Sequence, residues 1–300
     1  ITGLSAGASD MSGWLLMGLP GALFVSGISQ AWIAIGLTIG QWCNWKFVAA
    51  RLRSFTQNAS DALTLPDYFA ARFKDKLRLT AVIAAFIILI FSVVYCSSGM
   101  VSGARLFQQT FGMDYENALL IGAVSTILYV CIGGFLAVSW TDAVQASLMI
   151  FALVITPIII ILDVGSFSEA NALVSLKGPD MANMLKGTTV IGLISLAGWG
   201  LGYVGQPHIL VRFMAAASVR GMGGARRISI SWMIFCLLGA VAVGYYGVAF
   251  VAKHPELTVD NPEQIFIIVT QTLFTPWIAG ILLSAILAAI MSTLSCQLLV

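Results

Sequence analysis

Residues 197–208 read AGWGLGYVGQPH, and residues 4–14 read LSAGASDMSGW. Each stretch lies inside a long apolar segment. Glycine and proline disfavour an unbroken helix in the later stretch, and a run of small residues before Asp10 does so in the earlier one. Irregular backbone at membrane depth survives only where protein buries it or water reaches it. The two stretches therefore predict two broken membrane helices. The alternative is two continuous helices whose small residues allow close packing.

The composition of the 300 residues indicates a protein of the lipid bilayer. Apolar residues make up 59% and charged residues 9%, whereas a soluble domain is roughly 25% charged. This is too little charge to cover a water-facing surface, so we expect an all-α, multi-pass membrane protein. The formal net charge of +2 gives no sign of a nucleic-acid partner. Because the chain starts at Ile1 and stops inside an apolar helix pattern, we expect an internal fragment, incomplete at both ends.

About eight stretches are long enough to cross a hydrocarbon core, which takes ~20 apolar residues per helix. They cover 4–27, 30–50, 79–106, 117–135, 142–163, 188–211, 227–252 and 267–298. In membrane proteins, Lys and Arg concentrate on the cytoplasmic side. Eleven of the 15 Lys and Arg residues lie in the gaps 46–78 and 212–227, so we predict that these two gaps are cytoplasmic.

The predicted breaks fall in the first and the sixth of these stretches. The first and sixth stretches are five positions apart in the order of spans, an odd number, so the two broken helices enter the membrane from opposite sides. Discontinuous helices in corresponding positions of inverted repeats are typical of LeuT-type transporters, in which the exposed helix ends bind anionic groups and cations. We therefore predict one transmembrane transporter domain, residues 1–300, with a LeuT-type 5+5 inverted repeat. Residues 1–163 form the first repeat in this prediction, and 188–300 form part of the second.

Two acidic residues lie in apolar stretches. Asp10 is deep inside the first one, where an unpaired charge costs a few kcal/mol or more. It either caps the second half-helix, by accepting N–H groups of Gly13 or Trp14, or places its charge near a cation, and the two roles are compatible. Asp142 stands at the start of the fifth stretch, so we predict that it is a helix N-cap.

The last apolar stretch has a polar face. Ala289, Ser292 and Thr293 share one side of a helix because of their i, i+3, i+4 spacing. Helical hydroxyls often bond carbonyls of their own helix. Alternatively, the two hydroxyls, one carbonyl on that face and two carbonyls of a broken helix supply oxygen ligands for sodium. The sequence has no P-loop, HExxH or GxSxG motif, so we expect neither an enzyme nor a bound cofactor.

Four strings make the sequence recognisable: LSAGASDMSGWLLMGLPGA at 4–22, GGFLAVSWTDAVQASLMIFAL at 133–153, GWGLGYVGQPHIL at 198–210 and WIAGILLSAILAAIMSTLSCQLLV at 277–300. They resemble the bacterial sodium- and proline-transporting members of the solute:sodium symporter family. The resemblance spans almost the whole chain and weakens only in three loops. It implies sodium-coupled uptake of L-proline across the inner (plasma) membrane of a bacterium, with sodium as the coupling ion.

The resemblance also implies roles for individual residues. The matches to the family's sodium ligands are Ala8 and Met11, through their main-chain carbonyls, and Ala289, Ser292 and Thr293. Asp10 matches a residue associated with sodium coupling. The substrate-contacting positions match Ser12, Trp14, Tyr95, Trp199, Tyr203, Pro207 and His208. From the residues alone, Tyr95 is an ordinary buried tyrosine, and His208 has a packing or hydrogen-bonding role. Aromatic faces enclose a compact pyrrolidine ring well, and its ammonium can lie over a ring.

Two other functions stay open at this point. A symporter of the same fold for another small solute differs mainly in its pocket, and the string around Trp199 argues against it. A membrane sensor, in which a transporter-like part is fused to a signalling kinase, carries cytoplasmic domains outside this chain. Competition by other solutes and the sequence beyond the last span separate these alternatives from the first interpretation.

Overall fold

The structure is a computed structural model that describes residues 1–59, 61–178, 180–185 and 188–300. The described residues form thirteen α-helices and no β-strand, so the expected all-α class is confirmed. The helices are α1 (Thr2–Asp10), α2 (Gly18–Ser26), α3 (Ala31–Cys43), α4 (Ala50–Asn58), α5 (Leu65–Phe73), α6 (Leu79–Phe111), α7 (Tyr115–Val164), α8 (Phe167–Lys177), α9 (Val190–Gly198), α10 (Pro207–Met214), α11 (Met222–Lys253), α12 (Ile265–Leu273) and α13 (Pro276–Leu299).

The first predicted break is present between α1 and α2. α1 ends at Asp10, and the main chain of Met11 leaves helical geometry at φ −86° and ψ 89°. A 3₁₀ turn, Gly13–Leu15, follows, and the Ser12 hydroxyl accepts the Trp14 N–H at 3.3 Å. The chain therefore passes through this region as two short helices whose ends expose backbone groups.

The second predicted break is present between α9 and α10. α9 ends at Gly198, and the segment Trp199–Gly205 continues as a 3₁₀ helix. α10 begins at Pro207, whose fixed φ and missing N–H suit the first turn of a helix. The run rich in glycine and proline therefore divides this stretch into two short helices, as the sequence predicts.

α3 packs directly on the second break. Gly36 and Gly40 lie so close to the main chain of Ala197 and Gly200 that an added Cβ atom would clash with backbone. Glycine is therefore required at these two positions of α3, because the two backbones touch. After α3, the chain forms a π-helical stretch, Asn44–Ala49, before α4 begins.

The predicted number of eight spans is not confirmed. In the described part of the chain, six segments are long and apolar enough to cross a membrane: Gly13–Asn58, Leu79–Phe111, Tyr115–Ile132, Gly134–Val164, Val219–Lys253 and Pro276–Leu299. The first two predicted stretches fall largely in one segment, and the sixth is shortened by its break. The stretch 267–298 is also divided, because Pro276 disfavours helical geometry at Thr275, and α12 already ends at Leu273.

α7 contains the fourth and fifth predicted stretches. Gly134 separates its two halves at φ 60° and ψ −169°, a backbone conformation that a residue with a Cβ atom rarely adopts. The kink at this glycine therefore marks the boundary between two membrane-crossing segments, although the boundary falls inside one helix.

The core is built around the broken helix α1. This helix packs on α7, α10, α11 and α13, and its residues from Ser5 to Ser9 are buried. By contrast, α6 contacts α5, α7 and α13, and most of its large apolar side chains are exposed, as expected for a helix that faces lipid. The first break therefore begins at the end of a buried helix.

Candidate functional site

The two helix breaks face each other. The indole rings of Trp14 and Trp199, one from each break, stack with their centroids 5.2 Å apart and their planes at 29°. The first break also lies against the middle of α13, since a Cβ atom added to Gly13 would be 2.7 Å from Cγ1 of Ile290. Both breaks and α13 therefore meet at one place.

The carboxylate of Asp10 is bound by the second break. The Tyr203 hydroxyl donates to Asp10 Oδ2 at 2.5 Å. The prediction that Asp10 caps the N–H groups after the first break is wrong, because Ser12 accepts the Trp14 N–H. Ser12 directly precedes the 3₁₀ turn, which is the position from which a side chain reaches those N–H groups. Asp10, at the end of α1, instead joins the two broken helices.

Ser292 and Thr293 bring two buried hydroxyls to the same region. Their exposed fractions are 0% and 2%, and neither hydroxyl has a hydrogen-bond partner within the described part of the chain. By contrast, the Ser295 hydroxyl of the same helix donates to the Ser292 carbonyl at 2.9 Å. A buried polar group without a partner costs about 1–3 kcal/mol. The interpretation in which these two hydroxyls bond their own helix therefore does not hold, and both oxygens are available to a ligand.

The other predicted sodium ligands lie in the same core. Ala8, Met11 and Ala289 are buried in the apolar cluster where α1 packs on α13. Hard cations prefer oxygen ligands, and the end of a helix leaves main-chain carbonyls without helical partners. The assignment of the Ala8, Met11 and Ala289 carbonyls to sodium stays a prediction.

A cavity of 280 Å³ opens between the first break, α6, α13 and Trp199 of the second break. Its polar and aromatic wall residues include Ser12, Trp14, Tyr95, Trp199 and Thr293. An adjoining cavity of 150 Å³ shares the first four of these residues and reaches Asp10, Met11 and Tyr203. Pockets for drug-sized ligands measure about 300–1,000 Å³, so these volumes suit a smaller molecule. The predicted aromatic set and two predicted sodium ligands, Met11 and Thr293, thus line these two adjoining cavities.

Two predicted substrate residues lie beside this space. Pro207 starts α10, and His208 is buried with its Nδ1 atom 2.9 Å from Nε2 of Gln297. The ring centroids of His208 and Tyr95 are 6.3 Å apart. Among the described residues that line the two cavities, neither Pro207 nor His208 occurs. Their contact with a substrate stays a prediction, and the structure shows the hydrogen-bonding role that the sequence alone favours for His208.

A larger cavity, of 560 Å³, lies away from the breaks. It is bounded by the C-terminal part of α6 and by the corner between α12 and α13, with Leu106, Phe107 and Phe274 in its wall. Its wall is mostly apolar. Size alone therefore does not identify the site, and the smaller cavity has the more polar and aromatic wall, with Ser12, Tyr95 and Thr293 among its residues.

Sequence reasoning missed a buried ion pair that joins four helices. Asp142 of α7 and Arg212 of α10 are 0% and 3% exposed in their side chains and lie 3.0 Å apart. The Ser5 hydroxyl of α1 donates to Asp142 at 2.6 Å and accepts from Arg212 Nε at 2.8 Å. Arg212 also donates to the His208 carbonyl at 2.7 Å and contacts the Cys296 thiol of α13. These bonds fix α10, the second half of a broken helix, to its surroundings.

The prediction that Asp142 is an N-cap is wrong. The residue lies inside α7, which starts at Tyr115 and continues to Val164, so the N–H groups near it already have helical partners. The sequence does give one signal of this pair: Asp142 and Arg212 each stand in an apolar stretch. A single buried charge needs a partner of opposite sign, but the sequence does not show that Asp142 and Arg212 are neighbours.

The sequence and the fold of the chain both match known membrane proteins. The model of the sodium:solute symporter family matches residues 1–300, and the chain belongs to that family. A solved structure described as the substrate-bound outward-open state of a Na⁺-coupled sialic acid symporter aligns with 99% of this chain and 63% of its own chain, at a TM-score of 0.85. At 19% identity, this likeness concerns the fold alone, and it confirms the LeuT-type fold predicted from the two breaks.

Several curated relatives are much closer in sequence. The chain is 63% identical to the sodium/proline symporter of Escherichia coli (strain K12) over all of its own length and 60% of that protein. It is 51% identical to the high-affinity proline transporter PutP of Bacillus subtilis (strain 168) over all of its own length and 63% of that protein. The chain therefore spans about three fifths of the length of the curated relatives it matches.

Proposed function

We propose that the protein containing this chain carries L-proline into a bacterial cell together with sodium, by alternating access across the inner membrane. One observation carries the proposal. Ser292 and Thr293, whose buried hydroxyls have no partner among the described residues, are adjacent on α13, and Thr293 lines the aromatic cavity that adjoins the Asp10–Tyr203 bond. The names and identities of the relatives support proline as the solute.

Sodium binds, in this proposal, between the end of α1 and the middle of α13. Its ligands are the carbonyls of Ala8, Met11 and Ala289 and the hydroxyls of Ser292 and Thr293. Asp10 contributes negative charge at short range without being a ligand, and an ion bound there holds the broken helix in one arrangement. The charge acts more strongly in this enclosed site than it does in water.

Proline occupies the neighbouring cavity. Trp14, Tyr95, Trp199 and Tyr203 enclose its ring, and their faces can also accept the ammonium. Ser12 supplies a polar contact in the same wall. Sodium therefore favours proline by ordering the first break, which forms part of both sites, so that the coupling is a difference in affinity between conformations.

We also propose that residues 1–163 form one inverted repeat and that residues 188–300 form part of the other within a single membrane domain. Each proposed repeat contains one break, between α1 and α2 and between α9 and α10, as expected for such repeats. The membrane potential then drives sodium entry with about 2.3 kcal/mol per charge for each 100 mV.

The test is uptake of radiolabelled L-proline by the complete protein in liposomes, with sodium outside only or at equal concentration on both sides. The expected result is accumulation that depends on the inward sodium gradient. Uptake that ignores sodium would overturn the coupling. Uptake that another amino acid inhibits at a much lower concentration than unlabelled proline does would instead indicate a symporter for a different solute.

A further inference from the structure

Asn44 reaches the second break from a different helix. It is buried at the junction between α3 and the π-helical stretch Asn44–Ala49. Its Nδ2 atom donates to the main-chain carbonyl of Tyr203 at 3.0 Å, and its Oδ1 atom has no hydrogen-bond partner among the described residues. The side chain of Asn44 is therefore directed at the main chain of one residue of the break.

The register of α3 explains why Asn44 meets this carbonyl. Gly36, Gly40 and Asn44 are spaced four residues apart, so they share one face of the helix. The two glycines touch the main chain of Ala197 and Gly200, and Asn44 stands one turn further on, against Tyr203. One stripe of α3 thus follows the break along its length, and the amide is the polar member of that stripe.

The bond from Asn44 has a consequence in the site. The hydroxyl of the same Tyr203 donates to Asp10, so a line of hydrogen bonds runs from Asn44 through Tyr203 to the end of α1. The segment around Tyr203 is a 3₁₀ helix, which bonds its own backbone less well than an α-helix does. The Asn44 amide, a donor from a different helix, therefore helps to hold the Tyr203 main chain in place. The position of the phenol follows from that of the main chain.

We propose that Asn44 is a positioning residue for sodium-coupled binding: it holds the Tyr203 main chain so that the phenol stays on the Asp10 carboxylate. This inference rests on the proposed function. The π-helical turn that begins at Asn44 fits it, because single π-helical turns occur frequently at functional sites. Asn44 contacts neither sodium nor proline in this scheme and acts only through Tyr203.

The first variant is Asn44→Ser in the complete protein. A serine in a helix can bond a carbonyl of its own helix, so the change removes the bond to Tyr203 without adding a buried unpaired group at position 44. Loss of that bond is expected to raise the sodium concentration for half-maximal proline uptake about tenfold, with the maximal rate at saturating sodium largely kept. Thr38→Ala is the matched control, because the Thr38 hydroxyl bonds only the Ala34 carbonyl of its own helix, and no change is expected.

A double-mutant cycle with Tyr203→Phe separates positioning from general loosening. If Asn44 acts through the phenol, adding Asn44→Ser to Tyr203→Phe changes the sodium requirement by less than about twofold. The proposal is overturned if the sodium requirement of the double variant equals the product of the two single-variant increases. It is also overturned if Asn44→Ser alone has the sodium dependence of the parent.

A second readout covers a variant that folds but does not transport. Bound sodium raises the melting temperature of a protein that binds it, and this rise should need about tenfold more sodium in Asn44→Ser than in the parent. If serine prevents folding, the near-isosteric Asn44→Leu variant, which has no donor for the Tyr203 carbonyl, is measured in the same way, and an unchanged sodium requirement there overturns the proposal. A parent without sodium-dependent proline uptake overturns the proposed function itself, whereas an active parent with a normal Asn44→Ser variant overturns this inference alone.

Discussion

Replacing Arg212 by glutamine tests the ion pair that fixes α10. The change keeps a polar side chain of similar length but removes the positive charge that faces Asp142. In the parent, the Arg212 side chain bonds Asp142, Ser5 and the His208 carbonyl, and both charged side chains are almost fully buried. Arg212→Gln therefore leaves a buried carboxylate without its cation.

The expected loss of stability follows from this burial. Removing one partner of a buried ion pair costs about 3–5 kcal/mol, because the remaining charge has lost its solvent and gained no partner. The exposed pair of Arg78 and Asp67 gives the comparison, with side chains 68% and 47% exposed and 2.6 Å between Nη2 and Oδ1. Surface pairs of this kind contribute about 0–1 kcal/mol, so Arg78→Gln should be close to neutral.

Thermal unfolding of the complete protein in detergent measures the difference. Arg212→Gln should lower the melting temperature by on the order of 10 °C, and Arg78→Gln should lower it much less. The double variant Arg212→Gln with Asp142→Asn should recover much of the loss, since the unpaired charge is then gone. An Arg212→Gln protein as stable as Arg78→Gln would refute the reasoning, because a buried carboxylate without a partner must lower the free energy of unfolding.

Three further predictions address the site and the outer surface. Trp199→Ala should weaken proline binding about tenfold at saturating sodium, because it removes the half-exposed ring stacked on the other break; an unchanged Kd in equilibrium binding would remove Trp199 from the pocket. Asp10→Asn keeps an acceptor for the tyrosine hydroxyl but loses the charge, so the sodium needed for half-maximal uptake should rise roughly tenfold; normal sodium dependence would show that the charge is not used. A hydrogen bond to Asp163 raises the pKa of His254, so the pairing stabilises the fold below the unfolded histidine pKa of about 6.5 and is lost as the pH rises through the higher folded value. His254→Gln should therefore lower the melting temperature at about pH 5 and not at about pH 9, and an equal loss at both would contradict this assignment.

The fold could be predicted largely from local chemistry. Glycine and proline disfavour helical backbone at their own positions, so the breaks after Asp10 and Gly198 can be predicted from neighbouring residues. The number of spans was harder to predict, because apolar stretches do not show where helices join. The predicted gap 136–141 is helical in α7, whose kink lies at Gly134 instead, and Pro276 divides a stretch that looks continuous.

The site could be predicted only in part, because its bonds join residues far apart in the chain. The spacing of Ala289, Ser292 and Thr293 predicts a shared face, and both hydroxyls on it are buried without partners among the described residues. The partner of Asp10, by contrast, is Tyr203, 193 residues later. Local reasoning assigned Asp142 to a cap and gave Asp10 a cap as one of two compatible roles, since capping needs only sequence neighbours. Tertiary partners replaced the cap at both positions.

The most direct test of sodium binding at α13 is the sodium dependence of proline uptake by the parent and by Thr293→Ala. Ser284→Ala is the control on the same helix, because the Ser284 hydroxyl bonds the Ile281 carbonyl at 2.6 Å. Loss of one oxygen ligand should raise the half-saturating sodium concentration at least about tenfold, or about 1.4 kcal/mol, while Ser284→Ala should match the parent. If Thr293→Ala also matches the parent, sodium does not bind at these hydroxyls, and the proposed coupling between the broken helix and α13 is wrong.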